Sequence, residues 1–187
     1  AYYFEAVELS KKGDYAGSIV QLKLAINVHP SFMNAYNELG VQYLRTNKLR
    51  DADEAFQQAL KIEPDSYSPL VNRGIAHVMM RRYSEAVPIL RKAVSKNGES
   101  AVGHFFLGQA LANLGLFDDA EGELLRSVEL GKGQMQEAHR ILAVIYTQRG
   151  NTKKAAENLE TYLELKPNVP DAERLREKLR QLKESGD

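Results

Sequence analysis

Four histidines are the first candidates for chemistry in this chain, because it contains no cysteine. Without a thiol, a nucleophile would have to be serine, threonine or lysine, with a histidine acting as its base. His29, His77, His104 and His139 never stand three or four residues apart. A helical metal site needs two histidines at such a spacing, on one face of the helix. The spacing therefore predicts neither a catalytic constellation nor a metal site.

The segment GKGQ, residues 131–134, is the one stretch that suggests a phosphate-binding loop. A phosphate loop requires an earlier glycine at a fixed distance and a serine or threonine directly after the lysine, and both are missing here. We therefore interpret the segment as a connecting loop. No cofactor is predicted, and we expect a chain without catalytic activity of its own.

The bulk composition excludes several classes of partner. Among 187 residues, Lys+Arg and Asp+Glu are both 25, so the net charge is zero and offers no general attraction to nucleic acid. No apolar run approaches the roughly 20 residues that cross a bilayer, so membrane insertion is not expected. We expect a soluble protein, and the absence of cysteine suits the cytoplasm and the periplasm equally. The chain begins at Ala1 without methionine, which we interpret as a trimmed or processed piece.

An internal repeat organises the whole chain. Gly40 recurs as Gly74 and Gly108 at steps of 34 residues and as Ala143 after a further 35, while Ala6 lies 34 residues before it. Further columns keep nearly the same step, and five copies agree in them. A small-residue column contains Ser18, Ala52, Ala86, Ala120 and Ala155, and a bulky column contains Leu22, Phe56, Leu90, Leu124 and Leu159.

Each copy of the repeat predicts two helices joined by a tight turn. In the second copy we expect helices over about residues 34–46 and 50–62. Gly40 falls inside the first of them, although a glycine in a helix costs roughly 0.5–1 kcal/mol relative to alanine. We expect Gly40 to face Ala52, so that two small residues let the helices approach closely.

These columns resemble the tetratricopeptide repeat (TPR) family. The second copy matches the family motif at Tyr36, Leu39, Gly40, Tyr43, Ala52, Phe56, Ala59 and Pro64. The resemblance covers almost the whole chain and implies an all-α fold, a right-handed α-solenoid of five helix-turn-helix repeats plus a C-terminal capping helix. It predicts a single domain over 1–187, with repeats at about 1–32, 33–66, 67–100, 101–135 and 136–169 and the cap at about 170–184.

The two ends of the array differ in sequence. Ala172, Leu175, Leu179 and Leu182 share one face of the last helix, whose other faces are charged, as expected for a cap that covers the last repeat. The N-terminal copy begins with the three aromatic residues 2–4 and has no matching cap. Either an upstream helix covers this end, or the chain self-associates through it.

In TPR proteins the first helix of each repeat lines a concave groove, and we predict the binding surface there. The alternative is that some of its valines are buried against a neighbouring repeat. His77, His104 and His139 fall in packing columns, so we expect them to pack. The predicted groove residues are Tyr3, Val7, Asn34, Asn37, Val41, Leu44, Val71, Asn72, Ile75, Val78, Phe105, Gln109 and Arg140.

The resemblance implies a non-catalytic adaptor or scaffold that binds a protein or peptide segment in this groove. Its apolar residues would receive side chains, and its asparagines would bond the partner's backbone. The alternative is that the chain is the recognition domain of a larger enzyme or of an envelope or secretion machine. In that case catalysis would lie on residues outside this sequence.

Overall fold

The computed structural model describes residues 1–185, and these form eleven α-helices without a strand. Consecutive helices are joined by loops of a few residues. The all-α fold predicted from the repeat is confirmed. The helices are α1 (Tyr2–Lys11), α2 (Tyr15–Val28), α3 (Met33–Arg45), α4 (Leu49–Ile62), α5 (Tyr67–Met79), α6 (Tyr83–Lys96), α7 (Ala101–Asn113), α8 (Phe117–Gly131), α9 (Gln136–Gln148), α10 (Thr152–Leu165) and α11 (Ala172–Glu184).

The helices form five packed pairs and a terminal helix, distributed over two compact units. The first unit, Ala1–Gly98, contains the pairs α1/α2, α3/α4 and α5/α6. The second unit begins at Glu99 and contains α7/α8 and α9/α10, with α11 packed on α10. Five pairs plus one helix is the count that the TPR resemblance implies. A single domain over 1–187 stays a prediction, and its last two residues lie outside the described part.

The helix bounds follow the sequence closely. The second copy was expected to form helices over about 34–46 and 50–62, and α3 and α4 begin one residue earlier in each case. Each pair turns through a residue in the left-handed region of backbone space. Arg81 holds φ 60° at this turn between α5 and α6, at a cost of roughly 1–2 kcal/mol for a residue with a Cβ. The corresponding residues are Gly13, Asn47, Gly115 and Gly150.

Gly40 allows two helices to pack closely, and the side chain nearest to it belongs to Phe56. A Cβ added at Gly40 would lie 2.7 Å from both Cδ1 and Cζ of the Phe56 ring on α4. Phe56 lies one turn beyond Ala52 on α4. In the fourth copy the small column also faces the glycine, as expected: a Cβ added at Gly108 would lie 3.2 Å from the backbone oxygen of Ala120. Gly74 meets Leu90 and Gly108 meets Leu124 in the same way. The bulky column thus lies in the core of each pair, opposite a column that contains only glycine or alanine.

The terminal helix α11 covers α10 with a narrow apolar stripe. Ala172 and Leu182 are buried, whereas Leu175 and Leu179 are partly exposed. The cap was expected from about residue 170, and the helix begins at Ala172 after the N-cap residue Asp171. α11 therefore closes the second unit through the two ends of its apolar stripe.

Candidate functional site

Two asparagine side chains meet on the surface formed by the first helices of the pairs in the first unit. Asn72 on α5 donates a hydrogen bond from Nδ2 to Oδ1 of Asn37 on α3, at 3.2 Å. Both residues are partly exposed, and Asn34, almost one turn before Asn37, is exposed. An amide side chain has two donors and an acceptor with two lone pairs, so this pair retains bonding capacity. The structure thus brings Asn37 and Asn72 together, whereas Asn34 lines the apolar cavity beside Tyr3 and Phe32.

The apolar residues selected beside these asparagines are only partly available. Val41 and Leu44 are partly exposed, and both also pack against the buried core of the first unit. Ile75 on α5 is partly exposed as well. Only part of each of these three side chains is therefore accessible to a ligand.

Val71 and Val78 do not form part of an accessible surface. They are 6% and 7% exposed, so the prediction that these two valines face a groove is wrong. The reason lies in α5 itself, which packs against α3, α4 and α6 and buries seven of its thirteen residues. The valines on α5 therefore serve packing, which is the alternative that the sequence left open.

Tyr3 and Val7 lie on α1, in a different environment. The Tyr3 ring lies 5.0 Å from the Phe32 ring and 5.9 Å from the Phe4 ring, measured between centroids. Burial, and next the negative charge of Glu38, raise the pKa of the Tyr3 hydroxyl. Tyr3, Phe4 and Phe32 line an apolar cavity of about 540 Å³ at this end of the first unit. Val7 is partly buried and does not line this cavity.

A buried glutamine joins α1 to α3. Gln42 is fully buried; its Oε1 accepts a hydrogen bond from Ser10 Oγ at 3.1 Å, and its Nε2 donates to Glu38 Oε1 at 2.5 Å. Sequence reasoning missed this link. The corresponding positions in the next two copies are Ala76 and Ala110, so no repeat column could have indicated it.

A second polar link joins α4 to α5. Asp53 Oδ1 accepts a hydrogen bond from Arg73 Nε at 2.6 Å. The same oxygen lies 3.0 Å from Nε2 of the buried His77. Burial alone would raise the pKa of the Asp53 carboxyl, but the bonds and charges of Arg73 and His77 outweigh it and lower that pKa. The expectation that His77 packs inside the fold is confirmed.

In the second unit a glutamate links α8 to α9. Tyr146 Oη donates to Glu121 Oε1 at 2.6 Å, and Arg149 donates to the other carboxylate oxygen. The bond from Tyr146 is the main cause that lowers the pKa of Glu121, with Arg149 adding to it. Burial, and then the bond to Glu121, raise the pKa of Tyr146 to about 12. The link is therefore structural.

The three predicted groove residues of the second unit lie on two different helices, α7 and α9. Phe105 and Gln109 lie on α7 and are partly buried, and the Phe105 ring meets the Phe106 ring edge-on at 5.1 Å. Arg140 lies on α9 and is exposed. Arg140 lines a cavity of about 630 Å³, which neither Phe105 nor Gln109 lines.

The cavity beside Arg140 is an open cleft lined by residues of the second unit. Ala112 on α7, Val144 on α9 and Leu175 on α11 supply apolar surface, and Val144 is 53% exposed. Arg174 on α11 adds a second guanidinium group. Sequence reasoning missed Arg174 because it assigned the charged residues of the capping helix to solvation, and α11 has no counterpart in the repeat.

Two further histidines contact a polar side chain on the second helix of their own pair. His104 Nδ1 lies 2.5 Å from Glu123 Oε2, and His139 Nδ1 lies 3.0 Å from Asn158 Oδ1. Within residues 1–185, no group of three or more His, Cys, Asp or Glu side chains is placed to hold a metal ion. Among α1–α11, no helix combines the length and the apolar character that crossing a membrane requires.

Comparison with known protein families identifies the chain at the level of its family. Residues 7–183 match the family described as T7SS, ESX-1 secretion system protein EccA1, N-terminal domain. The chain belongs to the EccA1 N-terminal domain family. The match spans all but the first six and last four residues, so the family assignment includes every helix pair.

Individual proteins confirm the TPR fold. The crystal structure of YrrB, described as a TPR protein with an unusual peptide-binding site, has a TM-score of 0.78 and 24% identity, covering 94% of this chain and 90% of YrrB. Protein FlbA from Caulobacter vibrioides is 30% identical over 125 residues, and anaphase-promoting complex subunit 3 from Schizosaccharomyces pombe is 26% identical over 148 residues. The matches cover 67% and 79% of this chain, but only 20% and 22% of those two proteins. The chain thus spans about a fifth of the length of these relatives.

Proposed function

We propose that this member of the EccA1 N-terminal domain family is a non-catalytic protein-interaction module that binds a peptide or helical segment of a partner. The observation that carries the proposal is the amide pair Asn37–Asn72, held at 3.2 Å on two adjacent first helices and still partly exposed. Amide groups in such a position bond a peptide backbone, while neighbouring apolar residues receive its side chains.

In the first unit the bound segment would lie along α3 and α5. Asn34, Asn37 and Asn72 would orient its backbone, and Val41 and Ile75 would contact its apolar side chains. This division between a few placed polar groups and a larger apolar area is usual for ligand sites. Val71 and Val78 are left out of this proposal because they are buried.

In the second unit Phe105 is the residue that we propose as an anchor. Its ring is partly exposed on α7 and fixed by the neighbouring Phe106. Aromatic residues often dominate interface energy, and truncation of an anchor costs about 2 kcal/mol or more. Gln109, one turn further along α7, would bond the backbone of the same segment.

The experiment is a selection of peptides from a random displayed library against the purified protein, followed by anisotropy titration of the selected peptides. The tested variants are Asn72→Ala and Phe105→Ala, and the control is Gln57→Ala on α4, an exposed residue outside the first-helix surface. We expect the two surface variants to keep their helical circular dichroism and to weaken binding about tenfold or more, since 1.4 kcal/mol corresponds to a factor of ten.

The proposal fails if no selected peptide binds in solution. It also fails if Gln57→Ala weakens binding while Asn72→Ala and Phe105→Ala, still folded, bind as the unchanged protein does. In that case the binding surface would lie on the second helices of the pairs.

We propose as the second candidate that the chain is the recognition domain of a larger secretion-system protein. The family description as an N-terminal domain favours it, as does the fact that the chain spans about a fifth of FlbA. The test is deletion of residues 7–183 from the full-length protein in its native cell. Loss of protein secretion, with retained activity of the remaining part, supports this candidate; unchanged secretion rejects it.

We also propose that the chain self-associates through the end of the first unit. Phe4 is 76% exposed there, and Tyr2 and Val28 are exposed beside it around the apolar cavity of about 540 Å³. Exposed apolar surface of this kind favours association, because pairing two such ends removes it from water.

A further inference from the structure

The cavity between α7, α9 and α11 combines apolar walls with a charged rim. Its volume of about 630 Å³ lies within the range of roughly 300–1,000 Å³ that is usual for ligand sites. Ile141, Val144 and Leu175 supply side chains to its walls, and Phe117 contributes a ring from α8. Val144 is more than half exposed on the inner wall, so a ligand would bury apolar surface that now contacts water.

The two arginines at the rim retain donors for a ligand. Arg140 meets Glu137 through Nε only, at 3.4 Å, and Glu137 also accepts from Lys166 Nζ at 2.9 Å. Arg174 uses Nη2 to bond Asp171 Oδ2 at 2.8 Å. A guanidinium group carries five N–H donors, so each arginine keeps several. The carboxylates of Glu137 and Asp171 thus pair with three cations, Arg140, Lys166 and Arg174, so one positive charge remains in excess.

The first turn of α11 also favours a negatively charged ligand in this cavity. Asp171 is the N-cap residue, but its side chain makes no capping bond and points instead to Arg174. The first backbone N–H groups of a helix lack partners within the helix and carry a partial positive charge. Glu173 also stands in this turn, but its carboxylate is highly exposed and bonds Arg176. An acceptor group bound beside Arg174 would lie close to these N–H groups.

We propose that this cavity binds a peptide segment of the partner that carries a carboxylate next to apolar side chains. The carboxylate would accept hydrogen bonds from the free donors of Arg140 and Arg174, and the apolar side chains would lie against Val144 and Leu175. This proposal rests on the proposed function as a peptide-binding module and assigns a ligand class to its second unit. Charge-assisted bonds from arginine to a carboxylate are short and strong, and they give specificity.

The experiment titrates the whole chain with two rhodamine-labelled hexapeptides that end in C-terminal amides, Gly-Leu-Phe-Glu-Leu-Glu and its isostere with glutamine in place of both glutamates. We expect the acidic peptide to bind at least about tenfold more tightly, and its affinity to fall as salt rises from about 50 to about 500 mM, because ions screen exposed charges. Arg140→Gln and Arg174→Gln should each reduce the affinity about tenfold towards that of the isostere. Val144→Asp should abolish binding of the acidic peptide by like-charge repulsion.

Arg180→Gln is the matched control. Arg180 also lies on α11 and also bonds a carboxylate three residues earlier, that of Glu177, but it does not line this cavity. We expect it to leave the affinity unchanged within about twofold, as is usual for surface substitutions away from a site.

Three results would overturn the proposal. The first is equal affinity for the two peptides, the second is binding that Arg140→Gln and Arg174→Gln leave unchanged, and the third is an equal loss in Arg180→Gln. The proposed function is tested separately by the peptides selected from the random library. Their binding is measured in variants of Asn72 and Phe105, not in variants of these two arginines. If library peptides bind but any of these three results is obtained, the proposed peptide-binding function is retained and only the site for an acidic segment is rejected.

Discussion

At the scale of single residues, the packing of Gly40 against the Phe56 ring predicts a loss of stability on a very small change. Gly40→Ala would place a Cβ 2.7 Å from two ring atoms of Phe56. Overpacking of a core costs roughly 1–3 kcal/mol, and the gain in helix propensity returns roughly 0.5–1 kcal/mol. We expect Gly40→Ala to lower the free energy of unfolding by about 1–2 kcal/mol, measured by urea denaturation.

Gly122 on α8 is the matched control for this substitution. A Cβ at Gly122 would have no atom within 4 Å, so Gly122→Ala should raise stability by about 0.5–1 kcal/mol through helix propensity alone. Equal effects of the two substitutions would contradict the packing role of Gly40.

A residue-scale prediction of pH dependence concerns Glu121. Its pKa is lowered from the ordinary value of 4.5, mainly by the hydrogen bond from Tyr146. A lowered carboxyl pKa stabilises the fold above the unfolded value and loses this contribution as pH falls through the folded value. We expect Glu121→Gln to cost about 1 kcal/mol at neutral pH. As pH falls below that ordinary value, the difference from the unchanged protein should shrink towards zero, measured by urea denaturation at each pH.

Glu177→Gln provides the comparison for Glu121→Gln. Glu177 is half exposed and bonds Arg180 within α11, and such surface pairs contribute close to zero. A loss in Glu121→Gln that did not shrink at all as pH fell below 4.5 would show that the carboxylate charge is not its cause.

At the scale of helices, α11 depends on a few contacts with α10. Leu182 is 5% exposed near the end of α11. Removing a buried leucine side chain costs roughly 2–5 kcal/mol, and less where the site can collapse. We expect Leu182→Ala to destabilise the second unit by about 2 kcal/mol and to speed hydrogen exchange of α10 amides, measured by mass spectrometry.

Leu179→Ala is the control on the same helix, because Leu179 is partly exposed. It should cost about 1 kcal/mol or less, in proportion to the smaller apolar area that it buries. If both leucine variants left α10 exchange unchanged, α11 would not act as a cap.

At the scale of the whole molecule, a net charge of zero removes the repulsion that keeps proteins apart. We therefore expect the apparent mass from light scattering to rise with protein concentration through the exposed aromatic end of the first unit. Phe4→Asp should reduce this rise, because it places a charge in the apolar contact.

Leu165→Asp adds the same charge at an exposed leucine of α10, far from Phe4 in sequence and in the other unit. It should leave the rise with concentration unchanged. A protein that stayed monomeric at every concentration, or a Leu165→Asp variant that lost the rise equally, would reject association through Phe4.

The sequence by itself determined the fold, because its repeat is redundant. Five copies report the same helix pair, so a departure in one copy, such as Arg73 in place of Leu39, does not hide the pattern. The bounds of α3 and α4 were predicted to within one residue for the same reason. The asparagines at positions 37 and 72 could also be predicted to lie on adjacent first helices.

The tertiary structure alone decided which of those surface residues are accessible and what faces them. Periodicity indicates the face on which Val71 lies, but its burial depends on how α3, α4 and α6 cover α5. The cavity beside Arg140 likewise depends on α11, which is not a repeat, so no column could indicate that Arg174 lies near Arg140. A repeat specifies local packing because its contacts lie between neighbouring helices. A binding surface depends on contacts between residues distant in sequence, and these require the assembled fold.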